Sequence, residues 1–265
     1  MEGYGIEEWR AYTERLGFAK TEDAEQDYLQ ELLLFWLFKG KLADTLVFRG
    51  GTSISKLYGS GSFSEDLDFV FSSSENEGDV EQAINSAIKG ISMQYAVDVT
   101  MKKYRNMLKY MLKVRGPIYM ISRSRQAVQT ISVDINLFER PLLNPKRISR
   151  IPIYNDIAPY LLNSMEIIEL LSDKIKAMME RNTPVARDLY DAWFLCAKYS
   201  IKPDLKLVEE KMKLYGKSEK ESFDLGELKK RIESIKKIWH AEMSRLMKNP
   251  PSYAQVSEYF LNVIY

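Results

Sequence analysis

Cysteine and histidine are nearly missing from this chain: Cys196 and His240 are the single examples of each in 265 residues. One cysteine excludes a disulfide framework or a cysteine-built zinc site. One histidine leaves no partner for a zinc-protease or two-histidine iron site, and a Ser-His-Asp enzyme would rest on that residue alone. An excess of either charge is missing too. The 38 Lys+Arg against 37 Asp+Glu give a net charge of +1, which excludes a surface basic all over but allows a local patch. Long apolar runs are lacking. The longest, Leu32 to Phe38, has seven residues, far below the roughly 20 that span a bilayer. The acidic, aromatic stretch from Met1 to Arg15 lacks the basic start and apolar core of a signal peptide. A soluble, cytoplasmic protein with no membrane partner is expected.

What is present argues for a folded chain. Hydrophobic residues make up 45%, with 16 Tyr, 11 Phe and 4 Trp, too many for disorder. The length suits one large or two modest domains, and the pattern changes near residue 163. Before it, helical stretches (22–39, 77–90) alternate with strand-like runs at 45–48, 67–71, 94–104, 107–115 and 127–138. Beyond it, helical spacing dominates: Ser164 can cap a helix running through Ile167, Leu171, Ile175 and Met178. Pro184 fits the first turn of the next. Further helices are expected at 203–215, 224–247 and 252–263. This divides the chain into an α/β unit, 1–163, and a helical unit, 164–265. Cys196, among Trp193, Phe194 and Leu195, reads as a buried structural thiol.

The chemistry concentrates around Phe48-Arg49-Gly50-Gly51-Thr52-Ser53 and Ser64-Glu65-Asp66-Leu67-Asp68-Phe69. A strand ending in two glycines, then a helix capped by Thr52, exposes backbone N–H groups. Gly50, Gly51 and Thr52 are thereby a candidate phosphate cradle, with a plain turn as the alternative. On a strand, Asp66 and Asp68 project to one face while Leu67 and Phe69 turn inward. Two such carboxylates repel unless a cation lies between them, and hard oxygen ligands suit magnesium (or manganese) bridging to substrate phosphates. The alternating segment Ile131 to Leu137 places Ser132, Asp134 and Asn136 on one face, which makes Asp134 a third metal ligand or a base. A solvent-facing acid pair and an ordinary surface Asp are the alternatives.

Gly50-Gly51-Thr52 followed by Phe63-Ser64-Glu65-Asp66-Leu67-Asp68 resembles the polymerase-β-type nucleotidyltransferases, and more narrowly the AbiEii-type toxins (the abortive-infection and MenT group). Glu25-Gln26-Asp27-Tyr28 resembles that family's EKDY helix opening, with Gln26 in place of Lys. Leu171 to Arg181 resembles its helix with Lys followed seven residues later by Arg. Ala186-Arg187-Asp188-Leu189-Tyr190-Asp191 resembles its ARDLYD motif. Ser62 stands where the family often has Arg. The resemblance implies an α+β fold: a nucleotidyltransferase domain with a mixed sheet flanked by helices, plus a helical C-terminal domain facing a shared cleft. It also implies transfer of NMP from an NTP to a hydroxyl, with Lys174 on the phosphates and Asp188 in catalysis or orienting that Lys. Lys174 and Arg181, two turns apart, can enter one cleft and stabilise departing pyrophosphate. Arg187 can pair with Asp191 at i,i+4; the resemblance makes Asp191 a further nucleotide-binding candidate, and spacing leaves open which job falls to Asp188 and which to Asp191.

Between Val99 and Val133 lie Lys102, Lys103, Arg105, Lys109, Lys113, Arg115, Arg123 and Arg125, with no acid and with Tyr104, Tyr110 and Tyr119 interspersed. Such a tract can follow a phosphate backbone and stack bases; a solvated hairpin is the alternative. With the resemblance, it implies an RNA acceptor such as the tRNA 3′ end and a toxin whose partner is a cognate antitoxin. A small-molecule or protein hydroxyl, or an inert binding module, are the competing expectations. Gly216-Lys217-Ser218 shares the end of a P-loop, but Lys211 occupies the required earlier glycine position, and the motif is rejected.

Overall fold

The computed structural model describes residues 4–216 and 223–265, so Lys217 and Ser218 of the rejected P-loop lie outside the described residues. Helices α1 (Ile6–Leu16) and α2 (Thr21–Phe38) precede strand β1 (Leu46–Arg49). The chain then turns into α3 (Gly50–Ser53), which continues as one π turn over Ile54–Tyr58. Strand β2 (Asp66–Phe71) leads to α4 (Glu77–Ser92), the hairpin β3 (Ala96–Tyr104) and β4 (Met107–Arg115), a short α5 (Pro117–Ser122) and β5 (Gln129–Asn136). Strands β6 (Lys146–Arg150) and β7 (Tyr160–Ser164) end the β-rich part. The rest is helical: α6 (Ile167–Glu180), α7 (Ala186–Tyr199), α8 (Leu205–Tyr215), α9 (Leu225–Ile235), α10 (Trp239–Leu246) and α11 (Tyr253–Ile264).

The seven strands form one mixed sheet in the order β3-β4-β5-β2-β1-β7-β6. Strand alternation gives it two unlike faces. Leu46, Phe48, Leu67, Phe69, Phe71, Ile131, Val133, Ile135, Leu108 and Leu112 point to one side, into a core completed by α1, α2 and α4. Val47 and Val70 point to the other, where with Ile54 they join a second core built from the helices after residue 164. No residue of β3, β4 or β5 belongs to that second core, so the helical half covers only part of its face.

Several sequence expectations shift. Ser164 ends β7, where its hydroxyl donates to the Phe48 carbonyl, and the next helix begins at Ile167. Pro184 lies just ahead of α7, whose N-cap is Val185. The expected 224–247 helix is two helices, α9 and α10. Pro117 opens α5 and β6–β7 complete the sheet, none of which the hydropathy pattern marks.

A buried charge cluster ties α2 to the α3 turn. The Lys56 ammonium contacts Asp27 and, at 3.3 Å, Glu31. Arg150 donates to both Glu31 oxygens at 2.9 and 3.0 Å, and the Tyr160 hydroxyl to one at 2.8 Å. Burial opposes the Glu31 charge, but Lys56, Arg150 and Tyr160 outweigh it and lower its pKa. Lys56→Met would leave Asp27 buried without its cation and Glu31 with Arg150 as its one cation among the described residues, and cost about 3–5 kcal/mol, read by urea unfolding at pH 7. A depressed carboxyl contributes stability above its unfolded pKa, near 4.3 for Glu, and loses it as pH falls through the folded value. Glu31→Gln should therefore flatten the fall in stability measured below about pH 4.

Candidate active site

Gly50 sits where β1 must turn sharply into α3. Its φ of +79° favours glycine, and a Cβ there would fall 2.3 Å from Asp68 Oδ2. This left-handed step starts the helix earlier than expected: Arg49 is the N-cap, and Thr52 lies inside the first turn. The Thr52 side chain is buried; its hydroxyl donates to the Asp66 carbonyl and lies within hydrogen-bond distance of Ser64 Oγ at 2.7 Å. It braces the turn against β2 and is not an N-cap. Gly51 is the open part of the cradle. A Cβ on it would lie 3.3 Å from Lys174 Nζ and 3.4 Å from Arg187 Nε, so two cations converge on bare backbone.

The sheet register assembles the acids. β1 pairs with β2 antiparallel, setting Arg49 opposite Asp68. β2 pairs with β5 in parallel, setting Asp66 opposite Ser132 and Asp68 opposite Asp134. β5 pairs with β4, setting Asp134 opposite Lys109, and their side chains meet at 2.9 Å. Arg49, Asp68, Asp134 and Lys109 therefore form one cross-strand row, two acids between two cations. Burial raises the Asp68 pKa to about 6; Arg49 and Lys174 lower it, whereas Asp66 and Asp134 raise it. Among the described residues, no three Asp, Glu, His or Cys side chains are grouped so as to hold a metal unaided.

The opposite wall comes from α6 and α7. Lys174 Nζ lies 3.1 Å from Asp188 and 2.7 Å from Asp191, and Arg181 Nε is 2.7 Å from Asp188. Burial works against the Lys174 ammonium, but Asp191 and Asp188 prevail and raise its pKa. Arg187 reaches Ser64 Oγ at 3.1 Å, and Lys174 takes the Asp191 carboxylate that spacing offered to Arg187. Asp191 is fully buried and stands behind Lys174, off the cavity wall. Asp68, Asp134, Gly50, Gly51, Lys174, Arg181, Arg187 and Asp188 all line one cavity of about 220 Å³.

A sequence profile described as the nucleotidyl transferase AbiEii toxin of a type IV toxin–antitoxin system matches residues 32–261. The chain belongs to the AbiEii family. It is a nucleotidyltransferase. Two solved Helicobacter pylori structures share the fold. One, described as a candidate nucleotidyltransferase, is 18% identical with a TM-score of 0.59, over 90% of this chain and 91% of that one. The other, JHP933, is 19% identical with a TM-score of 0.54, over 92% and 90%. No curated protein matches the AbiEii chain in sequence. Among the described residues, no helix is long and apolar enough to cross a membrane.

The AbiEii motif stretches divide into cavity-lining and bracing residues. Glu25 accepts from Ile118 N and, at 2.7 Å, from Gln129 Nε2; Gln26 donates to the Thr130 carbonyl at 2.8 Å. The EQDY helix opening thus fixes β5 from behind the sheet. Sequence reasoning missed Arg49 and Glu139. Both line the cavity, and Arg49 is held by Glu139 and, at 2.9 Å, by Asp173. The only available signal was an Arg directly before Gly-Gly. His240 is exposed on α10, and Cys196 is buried with its pKa raised to about 12 by burial. The two glycines should separate in test: Gly50→Ala costs about 1–3 kcal/mol in urea unfolding from backbone strain alone. Gly51→Ala leaves stability within about 1 kcal/mol and weakens binding of a labelled nucleoside triphosphate.

Proposed function

We propose that this AbiEii nucleotidyltransferase moves NMP from an NTP to an RNA hydroxyl, with a tRNA 3′ end as the leading acceptor. The observation that carries the reading is the convergence of Asp68, Asp134, Gly51, Lys174 and Arg187 on one cavity. In this reading residues 1–163 form the nucleotidyltransferase domain and 164–265 a helical domain that supplies Lys174, Arg181 and Asp188.

The donor set fits a divalent ion. Asp66, Asp68 and Asp134 offer hard oxygens on rigid central strands, Asp68 and Asp134 line the cavity, and burial raises the Asp68 pKa. Magnesium uses one or two carboxylates plus substrate phosphates, so a site incomplete without the triphosphate agrees with this choice. Bound there, Mg²⁺ or Mn²⁺ would offset charge on the phosphates.

The Gly51 backbone, Lys174 and Arg187 hold the triphosphate, while Asp188 and Asp191 keep Lys174 charged and aimed at it. Asp134 takes the acceptor proton, for which it must exchange its contact with Lys109. The freed oxygen bonds to the α-phosphorus, the bond to the bridging oxygen breaks, and pyrophosphate leaves against Lys174, Arg187 and Arg181. Asp188 is nearly fully buried and already pairs with two cations, which favours an orienting role over that of a base. Family membership supports an antitoxin partner.

Incubation with each labelled triphosphate and total RNA is the decisive assay. Asp68→Asn should abolish label transfer and pyrophosphate release. In metal-free buffer at pH 7 it should also raise unfolding stability by about 1–2 kcal/mol, because it removes a carboxylate whose charge the fold disfavours. Wild-type protein that releases no pyrophosphate with any triphosphate would sink the proposal.

A further inference from the structure

The cavity is only one end of a larger open surface. On the face that carries Asp68 and Asp134, β4 presents Met107, Lys109, Met111, Lys113 and Arg115, while β3 presents Tyr104, Lys102, Thr100 and Asp98 in register with them. The helical half leaves these strands uncovered, as none of their residues enters its core. At the far end is an open groove of about 660 Å³ lined by Asp98, Lys113, Arg115, Tyr119, Arg125 and Thr130.

Its charge is positive and largely free. Arg115 pairs with Asp98 at 2.8 Å, whereas Lys113 and Arg125 have no ion-pair partner among the described residues. Tyr119 supplies an aromatic wall. Lys113 stands opposite Thr130, and Lys109 stands opposite Asp134, so groove and acid row share the same two strands. Thr130 and Asp134 are four strand positions apart, about 13 Å at roughly 3.3 Å per residue. With bases stacked at roughly 3.4 Å, that distance holds about four nucleotides.

We infer that this groove is a second binding site, which grips the acceptor as a single strand of nucleic acid about four nucleotides behind its reacting end. The inference rests on the transfer reading above and adds a position and a length to it. Exposed cations flanking an aromatic ring match a phosphate chain with accessible bases, while an acidic protein would use the cations and leave the ring idle. The structure also divides the basic tract. Lys102, Lys109 and Lys113 share the acid-bearing face. Lys103 lies on the opposite face and pairs with Glu77 of α4 at 2.5 Å, and Arg105 sits in the turn between β3 and β4.

Fluorescence anisotropy with a labelled single-stranded RNA dodecamer tests the site without any triphosphate. Lys113→Glu together with Arg125→Glu should weaken binding at least tenfold. The slope of log affinity against log salt should drop by about 1.4, at roughly 0.7 per lost phosphate contact. Lys103→Glu and Lys113→Glu carry the same charge change, and only Lys113→Glu should act. Transfer to a dinucleotide, too short to reach the groove, should persist in the double variant, while transfer to the dodecamer falls. Unchanged dodecamer binding in the double variant, equal losses from Lys103→Glu and Lys113→Glu, or equally tight binding of polyglutamate would each overturn the inference. Failure of the transfer reading looks different: no triphosphate yields product with either acceptor, whatever the anisotropy reports.

Discussion

Carboxylates Asp68 and Asp134 project from adjacent central strands into the cavity, with Asp66 on the same face of β2 but off the cavity wall, and their mutual repulsion sets what must surround them. Isolated charges in such a place are costly, so cations arrive from other parts of the chain: Arg49 from β1, Lys109 from β4 and Lys174 from α6. Two of these are themselves anchored by further acids. Glu139 and Asp173 hold Arg49, and Asp188 and Asp191 hold Lys174. Asp173 in turn meets Lys211 of α8, which is buried beside Glu169. The site is thus the centre of a charge lattice that reaches from the sheet into three helices, and the two hydrophobic cores serve to hold its members in place.

This arrangement explains why the acids are legible in the sequence and some of their neighbours are not. Alternation on β2 and β5 is a local property with a period of two, so Asp66 with Asp68, and Asp134 with Ser132 and Asn136, can each be put on one face of their own strand without knowing the fold. That Asp68 faces Asp134, and not Ser132, depends on a pairing between strands far apart in the chain, which no local pattern encodes. Arg49 escapes a local reading because its partners, Glu139 and Asp173, are distant in sequence. Thr52 reads as a cap from the residues alone, but one positive-φ glycine moves the helix start forward and turns the hydroxyl toward β2.

The helical half shows the same division. Periodicity locates α6, α7 and α11 to within a few residues, but Ser164 and Pro184 are not the helix starts that their residue types suggest. Tertiary bonding holds the first in β7, and an extended approach to α7 displaces the cap past the second. The i,i+4 rule pairs Arg187 with Asp191, yet a buried lysine from the neighbouring helix takes that carboxylate. Packing between α6 and α7 decides the partner, and surface propensity does not. The EQDY stretch shows the converse. Its motif is legible, but its role as the brace behind β5 emerges only from the contacts of Glu25 and Gln26.

Strand β3 ends the sheet with nine residues that pair on one side only, to β4, among the described residues. A long bare rim of this kind is an invitation for a second molecule to add its own strand. Here the rim bears Lys102 and Lys103 side by side, one on each face. Lysines on an exposed edge disfavour addition of a further strand, which suits a platform beside the cavity.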